Sequence, residues 1–133
     1  MRDQLPAEAQ TLSQRLIEAA PDAIIFADCR GVICLWNLSA ETLFGYTAEE
    51  AVGNTLDLIV PEPFRDAHWA GFHRAIERRG FAKDESLLTS RAMTKDGRTI
   101  YVELSAAIIC NDEEQPIGIM AIGRDVTERH KKA

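Results

Sequence analysis

Two histidines within one amphipathic stretch are the side chains best suited to metal or proton chemistry, because a neutral imidazole binds metals and exchanges protons near neutral pH. His68 falls centrally on the apolar side of a helical wheel, beside Phe64 and Phe72, and so points toward the predicted core. His73 lies about 140° away, on a more polar flank. Ligands that share a helix face are spaced by four residues, so this pair argues against a two-histidine metal site. His68 alone is either a cofactor ligand or a core histidine.

The cysteines suggest neither a zinc site nor a disulfide framework. Cys29, Cys34 and Cys110 are an odd set with no CxxC spacing. Cys29 and Cys34 lie in or beside apolar runs, which predicts buried, unreactive thiols. A redox-sensing pair is the alternative, and it would need an exposed, electropositive setting.

Length and charge predict one acidic domain. The 133 residues are enough for a single hydrophobic core, and the net charge of −6 argues against direct nucleic-acid binding. No apolar run approaches the roughly 20 residues of a membrane span, and Met1–Gln4 does not begin a signal peptide. We therefore expect a cytoplasmic domain without membrane contact. A Gly-rich phosphate loop and a G-x-S-x-G elbow are both missing, so we do not expect an enzyme.

The first elements that position these side chains are a helix and a β-hairpin. Helix formers fill residues 7–20, and Pro21–Asp22 ends that stretch. Strands are expected over 23–28 and 32–37, joined by a tight turn at Arg30–Gly31.

Two short helices are predicted next from their caps. Asn37 or Ser39 can cap the first, which runs to Phe44. Thr47 and Glu50 form a capping box for the second.

A longer helix and three strands complete the chain. The helix should begin at Pro63, run to about Arg79 and end with Gly80 as its cap. Consecutive strands without crossover helices imply an antiparallel sheet with helices on one face, hence an α+β fold. The three strands are expected over 83–94, 98–110 and 116–125.

Five short motifs, in this order and at compatible spacing, resemble those of the PAS domain, the small sensor module of bacterial signalling proteins. They are the strand start Ala20–Ile24, the segment Trp36–Tyr46, the turn Glu49–Gly53, the turn Lys95–Gly97 and the ending Arg124–Arg129. The resemblance implies a five-stranded antiparallel sheet with helices on one face. It also implies sensing, as in two-component regulation, rather than catalysis.

The same resemblance suggests how the chain is divided. Residues 1–20 would be a flanking helix, 21–127 the PAS domain and 128–133 the start of a linker helix. Asp125 and Thr127 would be the output residues, which pass a signal to an effector domain beyond the linker. The expected partners are a small-molecule or gas ligand and a second copy of the chain.

The segment Pro61–His68 is similar to the P-E-P-Y-R-x-x-H element of heme-binding, FixL-type oxygen-sensing PAS domains. Carried over, His68 would be the axial iron ligand through a neutral imidazole nitrogen. Leu88 stands where those sensors have a distal arginine. Without that arginine, nitric oxide and carbon monoxide are as plausible as oxygen as the gas that a bound heme would take. Ser86 is the small polar group nearby, and strand alternation would turn Arg91 to the other face. The expected pocket wall consists of Phe64, Phe72, Leu88 and Leu104.

Two alternatives remain beside heme. Flavin is disfavoured because the region 53–59 lacks the adduct-forming cysteine of light-oxygen-voltage domains, although Trp36 could stack on a flavin. A filled core without any cofactor would make the chain a dimerisation module. The helix stripe for such a dimer, which could equally cover its own sheet, consists of Leu5, Leu12, Leu16 and Ile17.

Overall fold

A five-stranded antiparallel sheet organises the domain. The structure is a computed structural model that describes residues 7–81 and 87–132, with side chains over 11–81 and 88–129. The sheet order is β2-β1-β5-β4-β3, which makes β2 and β3 the two edge strands. The strands are β1 (Ala23–Asp28), β2 (Ile33–Trp36), β3 (Leu87–Met93), β4 (Thr99–Cys110) and β5 (Pro116–Asp125).

Five α-helices accompany the sheet. They are α1 (Ala7–Ala19), α2 (Leu38–Phe44), α3 (Ala48–Ala51), α4 (Arg65–Arg78) and α5 (Thr127–Lys132). Two short 3₁₀ turns, Leu56–Leu58 and Glu62–Phe64, lead into α4. The first part of the strand expected over 83–94 lies outside the described residues, and α4 begins two residues later than predicted.

One face of the sheet carries the core. Inward residues of β1 and β4, such as Ile25 and Val102, meet Phe44 of α2 in the larger hydrophobic cluster. A second cluster joins Ala27 of β1 to Phe72 of α4. Helices therefore cover a single face, and the predicted α+β architecture is confirmed.

The predicted caps of α2 and α3 are present. Asn37 is completely buried, and its carboxamide oxygen accepts hydrogen bonds from the backbone N–H groups of Ala40 and Ile24 at 3.0 and 2.8 Å. Thr47 and Glu50 form a reciprocal capping box. These signals depend on residues close in sequence, so they can be recognised without the fold.

The end of α4 differs from the prediction by one residue. Arg79, not Gly80, takes the left-handed conformation, with φ of 58°. The Gly80 N–H donates to the carbonyl of Ala75 at 3.0 Å, which closes the last turn. Gly80 is therefore the residue after the left-handed position, which is occupied by Arg79.

Candidate functional site

A pocket of about 630 Å³ lies between α4 and the β3 side of the sheet. This volume is within the roughly 300–1,000 Å³ that is typical of small-molecule sites. Its ionisable lining residues are His68, Arg74 and Arg91. Its apolar lining includes Phe64, Phe72, Phe81, Leu88, Ala106 and Ile119.

His68 lines this pocket from α4 and is half-buried. Its Nδ1 atom is buried and has no hydrogen-bond partner. Burial lowers the pKa of His68 below its ordinary value, because desolvation disfavours the charged ring, while the Asp57 carboxylate acts in the opposite direction. Since water cannot reach Nδ1, the nitrogen that can face the pocket is Nε2. The site therefore presents a neutral imidazole.

An aromatic cluster holds the His68 side of α4 in place. The Trp69 ring lies edge-on to His68, with centroids 4.7 Å apart, and contacts Phe72 at 5.3 Å. Trp69 Nε1 donates to the Asp57 carboxylate at 2.8 Å. The same indole lies so close to Gly31 that a Cβ there would be 2.1 Å from its ring. Trp69 thus fixes α4 against the β1–β2 turn.

The residues predicted to wall the pocket are not all brought together. Phe64, Phe72 and Leu88 line it, although Phe64 and Leu88 are 40% and 47% exposed. Leu104 pairs with Leu88 in the β3–β4 register but packs against the larger core cluster, where its side chain lies over Gly123. The pocket lining does not include Leu104. Ser86 lies outside the described residues.

Arg91 reaches the pocket, which sequence reasoning missed. The β3–β4 register runs without a shift and pairs Arg91 with Tyr101, so alternation does turn it away from the inner face. Because β3 is an edge strand, however, the long side chain passes round the sheet edge to the rim of the pocket. Its guanidinium carbon lies 5.4 Å from the Phe64 ring centroid and 5.7 Å from that of Tyr101. The proximity of Phe64 could be found only from the fold.

The predicted output residues meet at the start of α5. The Asp125 carboxylate accepts a hydrogen bond from the Thr127 N–H at 2.8 Å. The Thr127 hydroxyl accepts one from the Tyr101 N–H at 3.0 Å, and the Val126 N–H donates to the Tyr101 carbonyl at 2.8 Å. Tyr101 of strand β4 therefore holds the β5–α5 junction through both of its backbone polar groups.

A second cleft, of about 750 Å³, lies beside this junction and is a weaker candidate. Three arginines line it, and each is already paired with a carboxylate on the protein surface. The pairs are Arg98–Asp96 at 3.1 Å, Arg124–Asp22 at 3.1 Å and Arg129–Glu103 at 2.6 Å.

Other predicted chemistry finds little support. Cys29 is half-buried, but Cys34 and Cys110 are exposed, so the expectation of a buried Cys34 was wrong. Cys34 follows the buried Ile33, and strand alternation turns it to solvent. Trp36 is 3% exposed and donates to the Tyr46 carbonyl, so its indole is part of the larger core cluster. Within the part of the chain that the structure describes, no three His, Cys, Asp or Glu residues cluster as metal ligands.

Sequence comparison finds similarity to two bacterial sensor proteins. Over 59 residues, 44% of this chain, it is 37% identical to the sensor protein FixL of Bradyrhizobium diazoefficiens. Over 96 residues, 71% of this chain, it is 28% identical to the oxygen sensor protein DosP of Escherichia coli. The chain spans 12% of the length of each of these relatives. Among the described residues, no helix is long and apolar enough to cross a membrane.

Structure comparison and a family model agree on the fold. The crystal structure of a PAS domain from Colwellia psychrerythraea superposes with a TM-score of 0.77 at 26% identity, covering 91% of this chain and 99% of that one. The family model described as "PAS fold" matches residues 11–126. The chain therefore belongs to the PAS domain family.

Proposed function

We propose that this PAS domain works in the cytoplasm as a sensor that binds a small ligand between α4 and the sheet. Ligand occupancy would be passed through the β5–α5 junction to an effector domain, in a two-component type of signalling protein. The observation that carries the proposal is the half-buried, neutral imidazole of His68, which lines a mostly apolar pocket of about 630 Å³.

Heme is the cofactor that these residues fit best. The ring of His68 is neutral, as an iron ligand must be, and Phe72 and Ile119 supply a dry apolar surface next to it. A bound heme would supply an iron coordination position for a diatomic gas. The similarity of Pro61–His68 to heme-binding PAS domains supports the same assignment.

The other wall would affect ligand selectivity. Leu88 cannot donate a hydrogen bond, so a gas bound on that side would receive no stabilising donor from this position. Leu88 is also 47% exposed, which leaves that wall accessible to water. We therefore expect no selectivity for oxygen over carbon monoxide or nitric oxide from Leu88 itself.

Absorption spectroscopy tests the heme assignment. The wild-type protein, titrated with hemin, should develop a Soret band of stoichiometric intensity, and His68→Ala should lose its histidine-ligated spectrum. His73→Ala is the matched control, because His73 stacks on Trp69 with ring centroids 6.0 Å apart and is not among the residues that line the pocket. Folded wild-type protein that takes up no hemin, or an unchanged spectrum in His68→Ala, would refute the assignment.

A ligand-free dimerisation module is the second candidate, and one observation favours it. Leu12 and Leu16 of α1 are 56% and 62% exposed, so this helix does not bury its apolar stripe within its own chain. A second copy could cover that stripe. Sedimentation analysis of Leu16→Glu should show a dimer converted to monomer. A wild-type monomer at high concentration would exclude this interface.

A further inference from the structure

Within the described part of the chain, the charged residues that line the α4–β3 pocket are arginines. Apart from the imidazole of His68, the ionisable side chains that line it are Arg74 and Arg91, and no carboxylate is found among the described lining residues. The chain as a whole carries a net charge of −6, whereas these described lining residues are basic. Charge complementarity therefore favours an anionic ligand.

Arg91 is arranged to receive an anion. Its guanidinium carbon lies 5.4 Å from the Phe64 ring centroid and 5.7 Å from that of Tyr101, and ring contacts of this kind do not use the N–H donors at the edge of the guanidinium. Among the described residues, no carboxylate pairs with this guanidinium. Arg91 is exposed, whereas Phe72 and Ile119 on the opposite side of the pocket are only 6% and 8% exposed. The site thus has an apolar floor and a cationic rim.

We propose that this pocket takes an organic anion, an apolar body that bears a carboxylate or sulfonate group, and that Arg91 binds the anionic group. This inference rests on the proposed function, because it names the chemical class of ligand for the same pocket. A planar guanidinium binds such a group through two parallel hydrogen bonds. Heme carries carboxylates and falls in this class, but the assignment of Arg91 does not depend on iron.

The second ring contact of Arg91 connects this recognition to the output. Tyr101, which lies under the guanidinium, holds Val126 and Thr127 through its backbone. An anion that turns Arg91 toward the pocket competes with its contact to the Tyr101 ring. The charge of the ligand would then affect the packing of Tyr101, the residue that anchors α5.

A pair of fluorescent probes isolates the contribution of charge. 1-Anilinonaphthalene-8-sulfonate and N-phenyl-1-naphthylamine share one aromatic skeleton, but only the first carries a sulfonate. We expect the full chain to bind the sulfonate more tightly. In Arg91→Met the sulfonate affinity should fall about tenfold, as expected for one charge-assisted contact, while that of the neutral probe stays within about twofold.

Two further variants control for location and for net charge. Arg98→Met removes the same charge from the Thr94–Arg98 turn, outside the pocket lining, and should leave both affinities unchanged. Gly71→Leu adds a side chain to the pocket wall on α4, where only an ordinary contact with Arg74 is met, and should weaken both probes.

The outcomes separate the two claims. If both probes bind, Gly71→Leu weakens both, and Arg91→Met affects neither or both equally, the organic-anion inference is overturned while the pocket stands. If neither probe binds, or if Gly71→Leu has no effect, the proposed ligand site fails and the inference fails with it.

Discussion

The backbone N–H of Tyr101 donates a 3.0 Å hydrogen bond to the hydroxyl of Thr127, which fastens the first residue of α5 to the central part of the sheet. The Tyr101 carbonyl also accepts from the Val126 N–H at 2.8 Å. The ring of Tyr101 contacts the Arg91 guanidinium, whose carbon lies 5.7 Å from the ring centroid. One residue of β4 therefore contacts both the rim of the pocket and the start of the exit helix.

Removal of the Thr127 hydroxyl should loosen that junction. Thr127→Val leaves the Tyr101 N–H without its acceptor and the Asp125 carboxylate without the hydroxyl donor. We predict a loss of about 1 kcal/mol in the free energy of unfolding and faster amide exchange at Tyr101. Chemical denaturation and exchange measured by NMR would check both.

Thr42→Val is the matched control for this prediction. The Thr42 hydroxyl bonds only the Leu38 carbonyl within α2, on the surface. Its loss should leave exchange at Tyr101 unchanged. Equal rates of amide exchange at Tyr101 in the two variants would mean that the Thr127 contact does not secure α5.

Asn37 should be among the most sensitive polar residues of the domain. It is fully buried, and its amide accepts from the N–H groups of Ile24 and Ala40 and donates to the carbonyls of Ile17 and Asp22. Asn37→Ala would remove all four hydrogen bonds, and of these acceptors the Ile17 carbonyl would keep a bond from the Ala20 N–H at 3.4 Å, so we predict a loss of about 2–4 kcal/mol. Urea denaturation followed by circular dichroism would measure it.

An exposed asparagine provides the comparison. Asn54 donates to the Glu50 carbonyl at 2.7 Å on the surface, and Asn54→Ala should cost less than about 1 kcal/mol. A loss at Asn37 no larger than at Asn54 would contradict its role as the tie between α1, β1 and α2.

Gly31 should tolerate a methyl group far less well than Gly53. Both have positive φ, 81° and 96°, so alanine is strained at either position. Only at Gly31 would the added Cβ meet the Trp69 ring, 2.1 Å away, whereas nothing lies within 4 Å at Gly53. We predict that Gly31→Ala lowers the unfolding free energy by about 1–3 kcal/mol more than Gly53→Ala.

A double variant identifies the cause. Adding Trp69→Leu to Gly31→Ala should recover part of the excess, because the clash is removed and only the backbone strain persists. Strict additivity of the two changes in thermal or urea unfolding would show that Trp69 is not the obstacle.

The apo protein should lose stability as the pH falls below the ordinary His pKa. Burial holds the pKa of His68 below 6.5, so in this range the unfolded chain takes up a proton that the folded chain does not. The contribution of His68 is therefore complete above pH 6.5 and declines from there down to the lowered folded pKa. Urea titrations between about pH 8 and about pH 5 should show a shallower decline for His68→Gln. Parallel curves for the two proteins would contradict the shift.

The parts of this fold that could be predicted from sequence are those with local causes. The capping residues Asn37 and Thr47 bond to backbone groups three positions away, and their role follows from residue type and spacing. Strand β4, predicted over 98–110 and found over Thr99–Cys110, is set by its β-formers and bounding turns. The antiparallel sheet followed from the succession of strands without crossover helices, and the similarity of motifs to the PAS family identified the complete fold.

The placement of the pocket residues could not be predicted, because it depends on which strand forms the edge of the sheet and which helix covers each part of it. Alternation places Arg91 on the outer face, and only its position on an edge strand lets the side chain return to the pocket. Leu104 is on the inner face, but whether it lines the pocket or fills the core depends on which helix lies above it. His68 was recognisable by its place on α4, whereas its unpartnered nitrogen appears only in the folded chain.

The central claim, that occupancy of the pocket at His68 reaches α5, is tested most directly by amide exchange in the presence and absence of hemin. We predict that hemin changes exchange at Tyr101, Val126 and Thr127 as well as in α4, while the Ile33 amide, bonded to the Asn54 carbonyl at 2.8 Å, does not change. Binding that alters only α4, with the three junction amides as in the free protein, would contradict the relay. No change at any amide on addition of hemin would contradict heme as the ligand of this pocket.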